Sequence, residues 1–106
     1  MSYRFMRMLV FFDLPTDTST DRGNYRKFRK MLLSNGFIMM QESVYCKLLV
    51  NTSAVKTATE TIRKNKPPKG IVQILTITEK QFSEIEYVSG EFSTEIINTD
   101  ERMVII

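Results

Sequence analysis

The residue best suited to chemistry is Asp13, an acid at the end of an apolar run. The other residues of segment 8–14 are all apolar, which predicts a buried strand that Pro15 ends, because proline has no N–H for a sheet ladder. Asp13 shares strand parity with Leu9 and Phe11, so its carboxylate should point to the face that they line. A charge there needs a partner. We therefore expect a partner group or a metal ion, with capping of the following turn as the simpler alternative.

The composition excludes several kinds of catalytic site. The chain has no histidine and a single cysteine, Cys46, which rules out histidine-based nucleophilic catalysis, an internal disulfide and a multi-cysteine zinc site. Cys46 itself is expected to be a small buried strand residue. Any catalysis must use carboxylates, lysines, tyrosines, hydroxyls or a hard metal ion, with Asp17 and Asp21 as candidate helpers of Asp13.

The size and apolar content are those of one ordinary globular domain. The chain has 106 residues, 42% of them apolar, and no apolar run approaches the roughly 20 residues of a membrane span. The N-terminal residues lack the apolar core and the small-residue cleavage site of a secretion signal. These features predict a cytoplasmic protein that does not bind a membrane.

Charge is distributed unevenly along the chain. Residues 1–70 contain 13 Lys and Arg against 5 Asp and Glu, whereas residues 71–106 contain 2 against 7. This asymmetry indicates a basic surface for a polyanion and an acidic tail that meets something basic.

The first predicted helix carries the densest group of cations. Thr20 or Asp21 can cap a helix that runs to about Ser34, with Asn35-Gly36 as its stop. At about 100° per residue, four cations fall within an arc of roughly 100° beside an apolar stripe. The cations of that arc are Arg22, Arg26, Arg29 and Lys30, and Lys27 adds a fifth positive charge to the helix. The apolar stripe consists of Tyr25, Phe28 and Leu32. A solvated face is the simpler explanation, but the density of charge favours phosphate contact.

A hairpin, a second helix and another strand follow. Residues 37–41 and 43–50 read as paired strands joined at Glu42, and Thr52 or Ser53 can cap a helix whose apolar stripe is Val55, Ala58 and Ile62. Pro67-Pro68 ends that helix. A second basic group, Arg63, Lys64, Lys66 and Lys69, gathers at its end, where cations also suit the helix dipole. Segment 71–78 is rich in β-branched residues without clean alternation, which predicts a strand buried on both faces.

This element order predicts an α+β fold. The order βαββαβ is a split βαβ arrangement, with two helices on one face of an antiparallel sheet. The helix-free face also looks apolar, and a second copy of the chain is its simplest cover. We place one domain at residues 1–82 and an acidic C-terminal segment at 83–106. In that segment we expect a short edge strand at 84–88, an acidic loop at 90–101, and a terminal strand that docks on the dimer partner, made of Met103, Val104, Ile105 and Ile106.

Several of these motifs together resemble a known family, the small ferredoxin-like protein of CRISPR adaptation, which is the partner of the adaptation integrase. The resemblance covers about residues 7–78. It rests on Leu9-Val10-Phe11-Phe12-Asp13-Leu14-Pro15, on Tyr25-Arg26-Lys27 with Lys30, on Gly36-Phe37, and on Gln41-Glu42-Ser43-Val44-Tyr45. Asp-Leu-Pro-Thr and the acidic tail are similar to the branch of type II systems.

The resemblance implies a homodimer in which Asp13 of each chain faces its mate and holds Mg²⁺. It further implies spacer acquisition, in which the dimer bridges two integrase dimers and its basic surface holds double-stranded prespacer DNA. Metal-dependent nuclease activity on RNA or double-stranded DNA belongs to many members. Where many relatives have Phe-Glu, this chain has Tyr45-Cys46, so an acid is missing there and the nuclease activity stays open.

Two other classes of function compete with this interpretation. One is a ferredoxin-like regulatory dimer that senses a small molecule, although the chain has no Gly-rich ligand loop. The other is an interaction module that uses a sheet edge and needs no basic surface. Because fold does not decide function, the choice among these three functions depends on what the basic helix and Asp13 do.

Overall fold

A computed structural model describes residues 5–91 as one sheet with helices packed against it. Its elements, in chain order, are β1 (Met6–Asp13), α1 (Ser19–Ser34), β2 (Ile38–Gln41), β3 (Val44–Leu49), α2 (Thr52–Lys64), β4 (Ile71–Thr78) and α3 (Glu79–Ser83). The strand order is β2-β3-β1-β4, and every neighbouring pair is antiparallel. This confirms the predicted α+β, ferredoxin-like βαββαβ fold.

The core lies between the sheet and the two long helices. Met8, Val10 and Phe12 alternate along β1 and are buried in one cluster with Phe28 of α1 and Ile62 of α2. The alternation places the intervening residues of β1 on the opposite, helix-free face. Both predicted helix stripes therefore bury against the same side of the sheet.

The helix starts differ from the predicted ones by one to three residues. Thr18, not Thr20 or Asp21, is the N-cap of α1, and Asp21 closes a capping box with it: Thr18 Oγ1 accepts from the Asp21 N–H at 3.0 Å. Asn51, not Thr52 or Ser53, caps α2. Several adjacent polar residues are able to cap each helix, and the one used is the one whose backbone is still extended.

The far end of α1 confirms the predicted stop. Gly36 has φ +88°, the left-handed conformation that follows many helices. The Phe37 N–H reaches back to the Leu32 carbonyl at 3.0 Å. The chain then turns directly into β2 and the predicted hairpin with β3.

The prediction that β4 is buried on both faces is wrong for the single chain. On the helix-free face Ile71 and Leu75 are 57% and 49% exposed. In the register of the sheet they pair with Asp13 and Leu9 of β1. β4 is an edge strand, and the described residues place no full layer over this face, so its apolar side chains remain accessible.

The predicted edge strand at Glu84–Val88 is also wrong, because the chain forms α3 immediately after β4 and no strand in 84–91. Arg7 holds α3: its guanidinium pairs with both Glu79 carboxylate oxygens, with Nε to Oε1 at 3.1 Å, and lies 4.2 Å from the centre of the Phe82 ring. Part of the loop expected at 90–101 and the terminal strand Met103–Ile106 lie outside the described residues, and the division at residue 82 stays a prediction.

One core residue is imperfectly accommodated. Tyr45 of β3 is fully buried, and its hydroxyl has no hydrogen-bond partner among residues 5–91. Burial raises the pKa of Tyr45 above its usual value of about 10, and the nearby Arg29 guanidinium opposes part of that rise.

We expect Tyr45→Phe to stabilise the fold, because an unsatisfied buried hydroxyl costs about 1–3 kcal/mol. The raised pKa adds a pH dependence: above about pH 10 the unfolded chain loses this proton first, so wild-type stability falls and that of Tyr45→Phe falls less. Thermal unfolding at about pH 7 and about pH 10.5 measures both effects. Tyr25→Phe is the control, since its hydroxyl has a partner, the Glu42 carbonyl. A lower unfolding temperature for Tyr45→Phe at neutral pH would contradict the prediction.

Candidate metal and nucleic-acid site

Asp13 is the last residue of β1, and its side chain is exposed on the helix-free face. It pairs across the sheet with Ile71. Among residues 5–91 the carboxylate makes no hydrogen bond and no ion pair, so the turn-capping alternative is wrong. The carboxylate avoids the cost of burial by facing solvent, and both oxygens stay available to a ligand.

Gly70 fixes the backbone that carries Asp13. It has φ +95°, and a Cβ atom there would lie 2.6 Å from the Asp13 carbonyl oxygen and 2.7 Å from Leu14 Cδ2. Only glycine permits this approach, because a backbone oxygen cannot move aside cheaply. The start of β4 thus packs directly on the end of β1. Sequence reasoning missed this role, although a glycine just before a strand is a recognisable signal for close backbone approach.

The acidic helpers expected from the sequence do not assemble around Asp13. Asp21 is buried and engaged with its own helix, its Oδ2 accepting from the Thr18 N–H at 3.3 Å. The other oxygen of Asp21 lies 3.9 Å from Lys69 Nζ. Within the described part of the chain no group of three or more His, Cys, Asp or Glu residues is arranged to hold a metal ion. Asp21 is therefore not free to help Asp13.

That donor chemistry still fits a hard cation. Mg²⁺ keeps several waters and is usually held by one or two carboxylates together with substrate phosphates. An exposed carboxylate with neither oxygen engaged meets the requirement, and two such groups at a symmetric interface would meet it better.

Cys46 confirms its expected role as a small buried residue. It is fully buried on β3 opposite Leu9. Burial raises the pKa of its thiol, while the Arg7 guanidinium, whose Nη1 lies 3.9 Å from the sulfur, opposes the rise. A buried thiol supplies no carboxylate to the candidate metal site.

The five cations of α1 are all exposed, but they are not equally available. Arg22 Nη1 donates to the carbonyls of Thr16 and Asp17 at 3.1 and 3.2 Å and so ties down the loop after β1. Arg29 lies beside the Tyr45 hydroxyl. The remaining three, Arg26, Lys27 and Lys30, form no ion pair with any described residue.

The second basic group joins the first on the helical side of the molecule. Lys64 and Lys66, at the end of α2, line a common cleft with Lys27 of α1. Arg63 is exposed in the same last turn, whereas Lys69 faces Asp21. Lys27, Lys64 and Lys66 thus link two groups that the sequence left as alternatives. The Asp13 side chain lies on the sheet face opposite α1 and α2.

Comparison with known proteins decides the family. The model of the family described as CRISPR associated protein Cas2 matches residues 6–85. The chain belongs to the Cas2 family. A protein named CRISPR-associated endoribonuclease Cas2 from Treponema denticola is 52% identical over 101 residues, which is 95% of this chain and 100% of the relative. Proteins of the same name from Streptococcus mutans and Ligilactobacillus salivarius are 52% and 43% identical to this chain. Each match covers 95% of this chain, and 93% and 100% of the respective relative.

The Cas2 match ends near the last described elements. It includes Asp13, both basic groups and α3. The predicted dimer residues Met103, Val104, Ile105 and Ile106 fall outside both the match and residues 5–91. Of the helices that the structure describes, none is long and apolar enough to span a bilayer.

Proposed function

We propose that this Cas2-family chain acts in CRISPR spacer acquisition, as a dimeric bridge that binds double-stranded DNA between integrase dimers. The observation that carries the proposal is the joined basic surface of α1 and the end of α2, on a chain whose first 70 residues hold 13 cations against 5 acids. A cytoplasmic location belongs to the same proposal, as does contact with the integrase.

The arrangement of the cations favours contact with a nucleic-acid backbone. They project from two adjacent helices and lie on one side of the sheet, as a polyanion lying across both helices requires. Ammonium and guanidinium groups on such a surface contact phosphates, which gives affinity without base specificity and with strong salt dependence.

Reversing two exposed cations of α1, Arg26→Glu with Lys30→Glu, should lower affinity for duplexes of any sequence. It should also flatten the dependence of binding on salt, by about one unit of slope for each phosphate that the variant no longer neutralises. Fluorescence anisotropy across a salt series measures both quantities. Lys80→Glu on α3 makes one such charge reversal away from the helical layer, half the charge change of the double variant, and serves as the control for a single reversal. Equal affinity for wild type and the double variant would reduce the α1 cations to a solvated face.

The proposed dimer buries the helix-free face. Leu48 of β3 lies on this face with Ile71 and Leu75 of β4, and all three are more than 40% exposed. A stable interface of standard size buries about 800 Å² of surface on each partner. These apolar side chains supply part of that area. Asp13 lies at the edge of the same face, so a twofold axis there would bring two carboxylates toward each other.

Leu75→Glu should dissociate the dimer, because it places a charge in the apolar contact. Analytical ultracentrifugation at about micromolar concentration measures the change. Leu33→Glu, on an exposed leucine of α1, should remain dimeric. A wild-type monomer at that concentration would refute the dimer.

We further propose that cleavage of RNA or DNA by this chain depends on Asp13 and on a divalent cation. The relatives from Treponema denticola and Streptococcus mutans are named as endoribonucleases. Mg²⁺, when bound by Asp13, would supply an acidified water and polarise a phosphoryl oxygen. The chain's own contribution is the rigid placement of the carboxylate through the contact of Gly70 with the Asp13 backbone.

Asp13→Asn should abolish Mg²⁺-dependent cleavage while leaving dimerisation and duplex affinity intact, since the side chain is exposed and the substitution removes only a negative charge. Cleavage of single-stranded RNA and of duplex DNA is measured with Mg²⁺ and with EDTA. Asp17→Asn is the matched control on the next exposed acid. Cleavage that survives in EDTA or in purified Asp13→Asn protein would show that another group performs the reaction.

A further inference from the structure

α1 and the end of α2 enclose a small cleft whose chemistry differs from that of the surrounding surface. Its volume is about 180 Å³, and its polar lining consists of Asn24 and Lys27 from α1 with Lys64, Asn65 and Lys66 from the end of α2. Two prolines, Pro67 and Pro68, form the adjoining wall. Three lysines and two amides from separate elements thus line one cleft.

The volume limits what the cleft can hold. A water molecule occupies about 30 Å³ in the liquid, and pockets for drug-sized ligands measure about 300–1,000 Å³. A cleft of 180 Å³ is therefore large enough for a tetrahedral anion with a few waters and too small for a whole nucleotide.

The charges indicate an anion. No acidic residue lines the cleft, and Lys27, Lys64 and Lys66 form no ion pair with any residue in 5–91. Like charges that line one cleft without a counter-charge repel one another, and a bound anion reduces the repulsion.

The amides add donors, and the walls are rigid. Asn65 caps the end of α2, and its side-chain nitrogen donates to the Thr61 carbonyl at 2.8 Å, which holds the amide in place. That nitrogen carries a second N–H. Pro67 and Pro68 have fixed φ angles and restrict the loop that carries Lys66. Asn65 and the two prolines therefore restrict part of the cleft wall.

We propose that this cleft is a subsite for a single phosphate group of the nucleic-acid backbone, shared by Lys27, Lys64 and Lys66. The proposal rests on the proposed duplex binding and adds to it a fixed point. Cations such as Lys30 project from one helix and can meet any nearby phosphate, whereas a phosphate in the cleft is held between two helices. The subsite therefore sets the register of the strand on the protein.

The first test uses inorganic phosphate and needs no nucleic acid. NMR titration at low salt should shift the side-chain amide signals of Asn24 and Asn65 in the wild-type protein. Lys27→Gln and Lys64→Gln should each weaken that binding about tenfold, because each removes a charge-assisted contact. Lys30→Gln, on α1 outside the cleft, should leave it unchanged. Amide signals that stay fixed at every phosphate concentration would overturn the subsite.

The second test asks whether the lysines act on the same phosphate in duplex binding. If Lys27 and Lys64 share one phosphate, the reduction in affinity of the double glutamine variant should be smaller than the product of the two single reductions. For Lys30 and Lys64, which contact separate phosphates, the reductions should multiply. Reductions that multiply for both pairs would refute the shared subsite.

The two tests separate the subsite from the function on which it rests. A wild-type protein that shifts its amides with phosphate but binds no duplex would overturn the DNA-bridging function and support an anion subsite. Salt-dependent duplex binding without phosphate-induced shifts and without coupling would support DNA binding and eliminate the subsite.

Discussion

The burial of Phe12 is the interaction on which the arrangement of this chain depends. Its ring centre lies 5.2 Å from that of Phe28 and 5.5 Å from that of Tyr45, so one side chain links β1 to α1 and to β3. Because strand side chains alternate, a buried Phe12 sends the next residue, Asp13, to the opposite face. Gly70 then holds the strand end by backbone contact. The packing of the core thereby decides where the candidate metal ligand points.

The two faces of the sheet carry different chemistry. The helical layer presents exposed cations, among them Arg26 and Lys27, and the helix-free face presents Asp13 beside apolar Ile71. Among the described residues no Lys or Arg side chain pairs with Asp13. Such a side chain would compete with a metal ion for the carboxylate. In the proposed dimer the carboxylates meet at the interface while the basic layers face outward. The proposed DNA binding and the proposed hydrolysis would then be separable, each removable by substitution without the other.

The helix-free face, so named because neither α1 nor α2 packs on it, is partly covered by the short helix α3. Arg7 of β1 binds Glu79 and Phe82 of α3 and keeps this short helix against the sheet. The planar guanidinium of Arg7 contacts both carboxylate oxygens of Glu79 and also lies over the Phe82 ring. A lysine ammonium lacks the fork geometry that this pair of contacts uses. The cover leaves Ile71 and Leu75 of β4 and Leu48 of β3 exposed, so apolar surface remains on both sides of β1.

The sequence by itself determined the order of the elements, because periodicity and breakers are local properties: the strand at Ile71–Thr78 has the predicted bounds, and Asp13 was recognisable as an acid at a strand end. Its solvent exposure, its lack of a partner among the described residues and the contact with Gly70 were decided by tertiary structure. The same holds for Glu84–Val88, a segment whose short apolar pattern predicted a strand. Segment 84–88 comes directly after α3, and α3 is held in place by Arg7, which lies 72 residues before Glu79. Contacts between residues so distant exist only after the sheet has brought their strands together, and no local pattern encodes them.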